Sequence, residues 1–61
     1  MNKGEKEKAR ERLRLVCLRE FRAGSEFNEV ASAYLDSFEE LSWDDRFNVI
    51  IDTYYEVRPL R

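Results

Sequence analysis

The chain has no histidine, a single cysteine, Cys17, a single proline, Pro59, and only two glycines. One cysteine cannot form an intrachain disulfide, and without histidine the common zinc-ligand sets are missing. A chain of 61 residues buries only about 60% of the surface that it exposes when unfolded. Folds of this size usually depend on disulfides, a metal, regular helix packing or self-association, so we expect the last two to supply the stability.

Long apolar runs are also absent. No segment approaches the ~20 apolar residues that a membrane span needs, and the first residues, MNKGEKEKARER, lack the apolar stretch of a secretory signal. A lone thiol fits a reducing compartment. We therefore expect a cytoplasmic protein with no membrane contact.

The residues that enzymes use are sparse. A catalytic cysteine needs a base, usually histidine, and Cys17 has none. The acidic pairs Glu39-Glu40 and Asp44-Asp45 lack the twelve-residue spacing and turn glycine of a calcium loop. So small a chain also rarely encloses the ~300 Å³ pocket of a substrate site. We predict no enzymatic activity, no cofactor, no metal and no small-molecule substrate.

What the chain does contain is four Phe, three Tyr and one Trp, too many aromatic residues for a disordered segment. Apolar residues recur with helical spacing in three stretches. We therefore predict one all-α domain over residues 1–61, with three short helices at about 5–23, 26–41 and 43–57. Tight turns join them, and residues 1–4 and 59–61 fray.

Local signals set these boundaries. Gly24 suits the left-handed position that follows a helix, and Ser25 can cap the next helix. Ser42 can accept the N–H of Asp45 to start the third, and Pro59 disfavours helical geometry at the residue before it. We expect helices one and two to form a hairpin against which the third packs.

Two helices carry apolar stripes spaced four, three, four and three residues apart, which is typical of core-facing helices. The stripe residues expected to be largely buried against helix one are Phe27, Tyr34, Phe38, Trp43, Phe47, Ile50 and Tyr54. Cys17 falls in the apolar arc of the first helix, so it is interpreted as a small core residue.

The apolar arc of helix one spans roughly 200°, about twice what one packed neighbour needs. Leu15 points away from that arc, and Val49 and Tyr55 lie off the stripe of helix three. These outliers indicate a partner surface, and self-association as a dimer. The residues predicted to bind a partner are Arg10, Arg12, Arg14, Leu15, Leu18, Arg19, Val49 and Tyr55.

Charge is divided unevenly along the chain. Residues 1–22 hold eight Lys or Arg and four Glu, a balance of +4, whereas residues 23–61 hold three Arg and nine acids, a balance of −6. The basic segment either complements carboxylates, of its own fold or of another protein, or contacts phosphate. Interrupting glutamates and a pI of about 5.1 disfavour nucleic acid.

The function predicted from these features is a non-enzymatic protein–protein interaction module, a homodimeric regulatory or accessory factor. Compact helical proteins of this size are common among phage and mobile-element accessory proteins, which is a general expectation rather than a property of particular residues. The alternative is a DNA- or RNA-binding regulator that uses the basic first helix.

Overall fold

The computed structural model describes residues 3–58, which form three helices: α1 (Lys3–Arg22), α2 (Phe27–Tyr34) and α3 (Trp43–Val57). The all-α prediction is confirmed, and the described residues contain no strand. Residues 3 and 4, which fall in the segment 1–4 predicted to fray, belong to α1. The rest of the predicted frayed ends lies outside the described residues.

The connection from α1 to α2 follows the glycine signal. Gly24 has a φ of +105°, and its N–H donates to the carbonyl of Phe21 while the N–H of Ser25 donates to the carbonyl of Glu20. This pair of hydrogen bonds is the Schellman motif, which satisfies the last carbonyls of a helix. The predicted role of Gly24 is confirmed.

The predicted N-cap of α2 is wrong by one residue. Glu26, with extended backbone, precedes the helix, and its N–H donates to a carboxylate oxygen of Glu29 at 3.1 Å. The hydroxyl of Ser25 instead donates to the carboxylate of Glu20 at 3.0 Å. Ser25 therefore reinforces the end of α1 rather than the start of α2.

The second helix ends at Tyr34, seven residues earlier than predicted. Three acids follow it, at positions 36, 39 and 40, and negative charge is unfavourable near a helix C-terminus. Phe38 adopts a left-handed φ of 54° and turns the chain, so that Leu41 still reaches the core. The apolar spacing at positions 38 and 41 is helical, but the backbone that presents these residues is not.

The third helix begins as predicted, because the Ser42 side chain accepts the N–H of Asp45 at 3.2 Å. It runs in the same direction as α1: Arg10 lies beside Asp45 near the start of α3, and Phe21 contacts Tyr54 near its end. The most extensive helix packing is between α1 and α3 rather than between α1 and α2. The predicted hairpin of helices one and two is therefore not the main unit of the fold.

The core lies between these helices and is mainly aliphatic. Its buried apolar members are Ala9, Leu13, Cys17, Phe21, Val30, Leu41 and Ile50. Four of them, at positions 9, 13, 17 and 21, form a single row along α1, since residues four apart are neighbours on one helix face. Thr53 is buried too, and its hydroxyl donates to the carbonyl of Val49 at 2.7 Å.

The predicted burial of the aromatic stripes is confirmed only in part. Ile50 is fully buried, whereas Phe27, Tyr34, Phe38, Phe47 and Tyr54 are half-buried and Trp43 is 54% exposed. Trp43 occupies the first position of α3, where no preceding turn of the helix lies beside it. Although Trp43 lies on the apolar stripe, its position at the start of α3 leaves about half of its side chain uncovered.

Candidate protein-interaction surfaces

Three of the predicted partner-binding arginines face carboxylates of their own chain. Arg10 lies 3.7 Å from Asp45, and Arg12 lies 3.8 Å from Glu40. These distances join a guanidinium nitrogen to a carboxylate oxygen across the boundary between α1 and the rest of the fold. The basic segment thus complements acids of its own fold.

Arg14 makes the closest of these pairs. Its Nη2 donates to both carboxylate oxygens of Glu56, at 3.0 and 2.7 Å, and both side chains are about half exposed. Hydrogen bonds between charged groups are shorter and stronger than neutral ones, although exposed pairs contribute only about 0–1 kcal/mol to folding. The pair therefore helps to align α1 with α3 more than it stabilises the fold.

Arg10, Arg14 and Val49 line one groove of about 470 Å³ between α1 and α3. Val49 is half-buried there, and most of the surrounding side chains are charged, namely Glu7, Glu11, Asp52 and Glu56. Because acids and bases are interspersed, the groove offers neither a uniform potential nor a large apolar surface. It is a poor match for a phosphate backbone.

Leu15, Leu18 and Arg19 lie on the outer side of α1. At 100° per residue, Leu15 is roughly 200° around the helix from the buried Leu13, and it is 56% exposed. Leu18 is half-buried and Arg19 is exposed. The outward position predicted for Leu15 is therefore found, and its apolar neighbour on this side of α1 is the half-buried Leu18.

Tyr55 lies on the outer side of α3 and is 63% exposed. It is one end of a set of four side chains spaced four residues apart on this helix, Trp43, Phe47, Ile51 and Tyr55, which we name the aromatic row. Trp43 stacks on Phe47 with ring centroids 5.4 Å apart and planes 4° apart. Ile51 and Phe47 are half-buried. Leu15 and Tyr55 are thus exposed on different helices.

Two further aromatic rings, those of Phe27 and Tyr54, contact members of the aromatic row. Phe27 of α2 makes edge-to-face contacts with Phe47 at 6.0 Å and with Tyr54 at 5.3 Å, and Tyr54 contacts Tyr55 at 5.6 Å. Such pairs contribute about 0.5–1.5 kcal/mol each beyond the area they bury. The row is therefore held in place rather than loosely exposed.

Sequence reasoning missed three members of this row as surface residues, because Trp43, Phe47 and Ile51 fall on or beside the apolar stripe. The available signal was the width of that stripe. Apolar residues of the third helix cover too wide an arc for a helix with one buried face, as those of the first helix do. That wide arc includes Tyr55 together with the residues four, eight and twelve positions before it.

Arg46 was also missed. It lies on the core side of α3, where its Nε donates to the carbonyl of Leu41 at 3.0 Å and its Nη1 donates to the carbonyl of Leu35. The signal in the sequence was the position of this cation. It comes four residues before Ile50, on the buried face of α3. Its function is structural, since it binds the backbone that follows α2.

The cysteine is inaccessible. Cys17 is fully buried, and burial, with a smaller contribution from Glu20, raises the pKa of its thiol to about 11. The thiolate is the reactive form of cysteine, so this side chain is held in its unreactive state at neutral pH.

Within residues 3–58, no three Cys, Asp or Glu side chains are grouped closely enough to hold a metal ion. None of the helices in this part of the chain is long and apolar enough to cross a membrane. Comparison with protein-family models, curated proteins and solved structures finds no match.

Proposed function

We propose that this chain is a non-enzymatic protein–protein interaction module that self-associates and acts in the cytoplasm as a regulatory or accessory factor. The observation that carries the proposal is the exposure of Trp43 and Tyr55 at the two ends of one apolar row. Exposed apolar patches commonly mark protein interaction sites, and Trp and Tyr are enriched among the residues that dominate binding energy.

The size of the chain supports self-association. A small domain buries a small fraction of its surface, and the core here contains only one fully or nearly fully buried aromatic ring, that of Phe21, among the described residues. Covering the aromatic row with a second protein surface would remove further apolar area from water, at about 25 cal/mol per Å². Self-association therefore stabilises the fold as well as serving its function.

Nucleic-acid binding through α1 is the alternative, favoured by exposed Lys6, Lys8, Arg19 and Arg22 on that helix. The pairing of Arg10, Arg12 and Arg14 with carboxylates weighs against it. Each of these acids would have to release its arginine before a phosphate replaced it. Of the remaining cations, Lys6 and Lys8 are flanked by Glu7 and Glu11, and Arg19 is followed by Glu20, and these acids repel a polyanion.

Sedimentation equilibrium from about 1 to 300 μM tests self-association directly, and we expect a concentration-dependent dimer. A folded protein that is strictly monomeric over this range would contradict the proposal. Fluorescence anisotropy with a labelled duplex DNA at 0.15 M salt tests the alternative. Submicromolar binding that weakens steeply with salt, as counterion release requires, would favour a nucleic-acid regulator.

A further inference from the structure

The aromatic row is arranged symmetrically about its centre, with an exposed aromatic residue at each end. Its four side chains follow a single i, i+4 ridge of α3, and the ridge is centred between Phe47 and Ile51. Ridges of this kind pack into the matching grooves of a second helix in the commonest class of helix contact. If two copies approach with their α3 helices antiparallel, Trp43 of one copy lies opposite Tyr55 of the other, and Phe47 lies opposite Ile51.

The charges on this face match the same arrangement. Asp44 and Arg58 lie seven residues before and after Ile51, which is about two helical turns, so both are on the side of α3 that carries the aromatic row. Both are exposed, and the Arg58 guanidinium lies over the ring of Tyr54, 5.1 Å from its centroid. In the register set by the aromatic row, antiparallel packing leaves Asp44 of each copy about four residues, or about 6 Å along the helix axis, from Arg58 of the other, which is within reach of an arginine side chain.

A parallel arrangement lacks this complementarity, because it brings Asp44 near Asp44 and Arg58 near Arg58. It also aligns the two helix dipoles, whereas the antiparallel arrangement places each positive N-terminus beside a negative C-terminus. A phosphate backbone is disfavoured on this face by Asp44, which is exposed there. A surface that is complementary to itself under a two-fold rotation is the requirement for a closed dimer.

We propose that the aromatic row is the interface between two copies of this chain, packed with their α3 helices antiparallel. This inference rests on the self-association proposed above and names the surface responsible for it. In this dimer Trp43 of each copy contacts Tyr55 of the other. The two contacts bury the most exposed aromatic side chains of the fold. The first helix, with Leu15, remains outside the interface.

Sedimentation equilibrium of matched single variants tests the surface. Tyr55→Glu is expected to raise the dimer dissociation constant about tenfold or more, since it buries an unpaired carboxylate in both symmetry-related contacts with Trp43. Leu15→Glu, at a similarly exposed leucine on α1, is expected to leave the constant within about twofold. Circular dichroism of each variant verifies that the helices are retained.

Charge reversal tests the orientation. Asp44→Arg and Arg58→Asp are each expected to weaken the dimer, because each places like charges across the interface, and the double variant is expected to restore most of the lost affinity. Trp43 is the only tryptophan, so its emission should also move to longer wavelength on dilution, as the dimer dissociates and the indole becomes solvated.

The possible outcomes are distinct. A dimer that is weakened by Leu15→Glu and not by Tyr55→Glu would show that self-association is real and uses another surface, which overturns this inference alone. The absence of charge rescue in a dimer that requires Tyr55 would overturn the antiparallel orientation. A wild-type protein that remains monomeric at 300 μM would overturn both the inference and the self-association on which it rests.

Discussion

Arg46 in the first turns of α3 donates a hydrogen bond from its Nη1 to the backbone carbonyl of Leu35, the residue that follows α2. The same guanidinium donates from Nε to the carbonyl of Leu41. A helix C-terminus leaves its last carbonyls without intrahelical partners, and a cation there also opposes the negative end of the dipole. One side chain therefore fixes both ends of the segment that joins α2 to α3.

Replacing Arg46 should be costly. Arg46→Ala leaves two partly buried carbonyls without their donor, and hydrogen bonds to charged groups contribute about 1.5–3 kcal/mol each. We expect a loss of about 2–3 kcal/mol in the free energy of unfolding measured with urea. Arg46→Lys keeps the charge but concentrates its donors on one nitrogen, so its loss should be intermediate.

Arg19→Ala is the matched control, because Arg19 is exposed on α1 and such substitutions usually change stability by no more than about 0.5 kcal/mol. Equal unfolding midpoints for Arg46→Ala and Arg19→Ala would contradict the anchoring role of Arg46.

Phe38 provides a test of where α2 ends. The test depends on whether glycine or alanine is the more stable replacement at this position. At its φ of 54°, glycine is strain-free whereas alanine costs roughly 1–2 kcal/mol. Phe38→Gly should therefore be more stable than Phe38→Ala by about 1 kcal/mol. Ser32, exposed within α2, should show the opposite order, since alanine is favoured over glycine by about 1 kcal/mol inside a helix.

Thermal or urea unfolding of Phe38→Gly, Phe38→Ala, Ser32→Gly and Ser32→Ala measures the order of stability at both positions. If alanine proved more stable than glycine at both positions, the helix would extend through position 38 as its apolar spacing suggests, and the left-handed turn would be wrong.

The three arginine–carboxylate pairs of α1 should contribute modestly and in a salt-dependent way. Replacing Arg10, Arg12 and Arg14 together by Gln should lower the stability by about 1–2 kcal/mol at low ionic strength, given about 0–1 kcal/mol for each exposed pair. The difference should shrink in 1 M NaCl, where the Debye length is about 3 Å.

Replacing Lys6, Lys8 and Arg19 by Gln is the control, because it also removes three positive charges, taking the net charge from −2 to −5. Identical losses in the two triple variants would mean that overall charge, not these pairs, sets the stability.

The thiol of Cys17 should make stability depend on pH at the alkaline end. Burial raises its pKa from 9.0 to about 11, so between these values the unfolded chain loses a proton that the folded protein retains. Unfolding then releases protons, and stability must fall as the pH rises through this window. Below pH 9 the thiol is protonated in both states and the effect is absent.

Urea unfolding of wild type and Cys17→Ala from pH 8 to 11 isolates this effect from tyrosine titration, which both proteins share. The stability difference between them should change across the window in favour of the alanine variant. Parallel pH profiles would contradict the assigned shift.

The elements that the sequence predicts well are those set by local chemistry. Gly24, with its left-handed φ, and Ser42, with its side-chain cap, end and start helices by interactions within a few residues. The buried row of α1 also follows directly from its spacing. Leu15 was correctly placed on the outside because it lies opposite the apolar face of α1, and Tyr55 because it lies beside the stripe of α3 rather than on it.

The elements that the sequence predicts poorly depend on contacts with distant parts of the chain. Phe38 and Leu41 keep helical spacing, yet the turn between them is held by Arg46, which comes from the next helix. Trp43 lies on the apolar stripe, but whether a neighbour covers it depends on where α1 and α2 end. The partners of Arg10 and Arg14 likewise become definite only when α3 lies beside α1.

The pairing of α1 with α3 has a consequence for how the chain folds. Arg14 and Glu56 are 42 residues apart in sequence, and most of the helix packing joins the first helix to the last. Such contacts give a high contact order for a helical protein, because a long loop must close before they form, and this slows folding relative to a simple helical hairpin. A chain truncated before α3 would leave the row of Leu13, Cys17 and Phe21 uncovered, so folding should be all-or-none and completed only when the last helix is present.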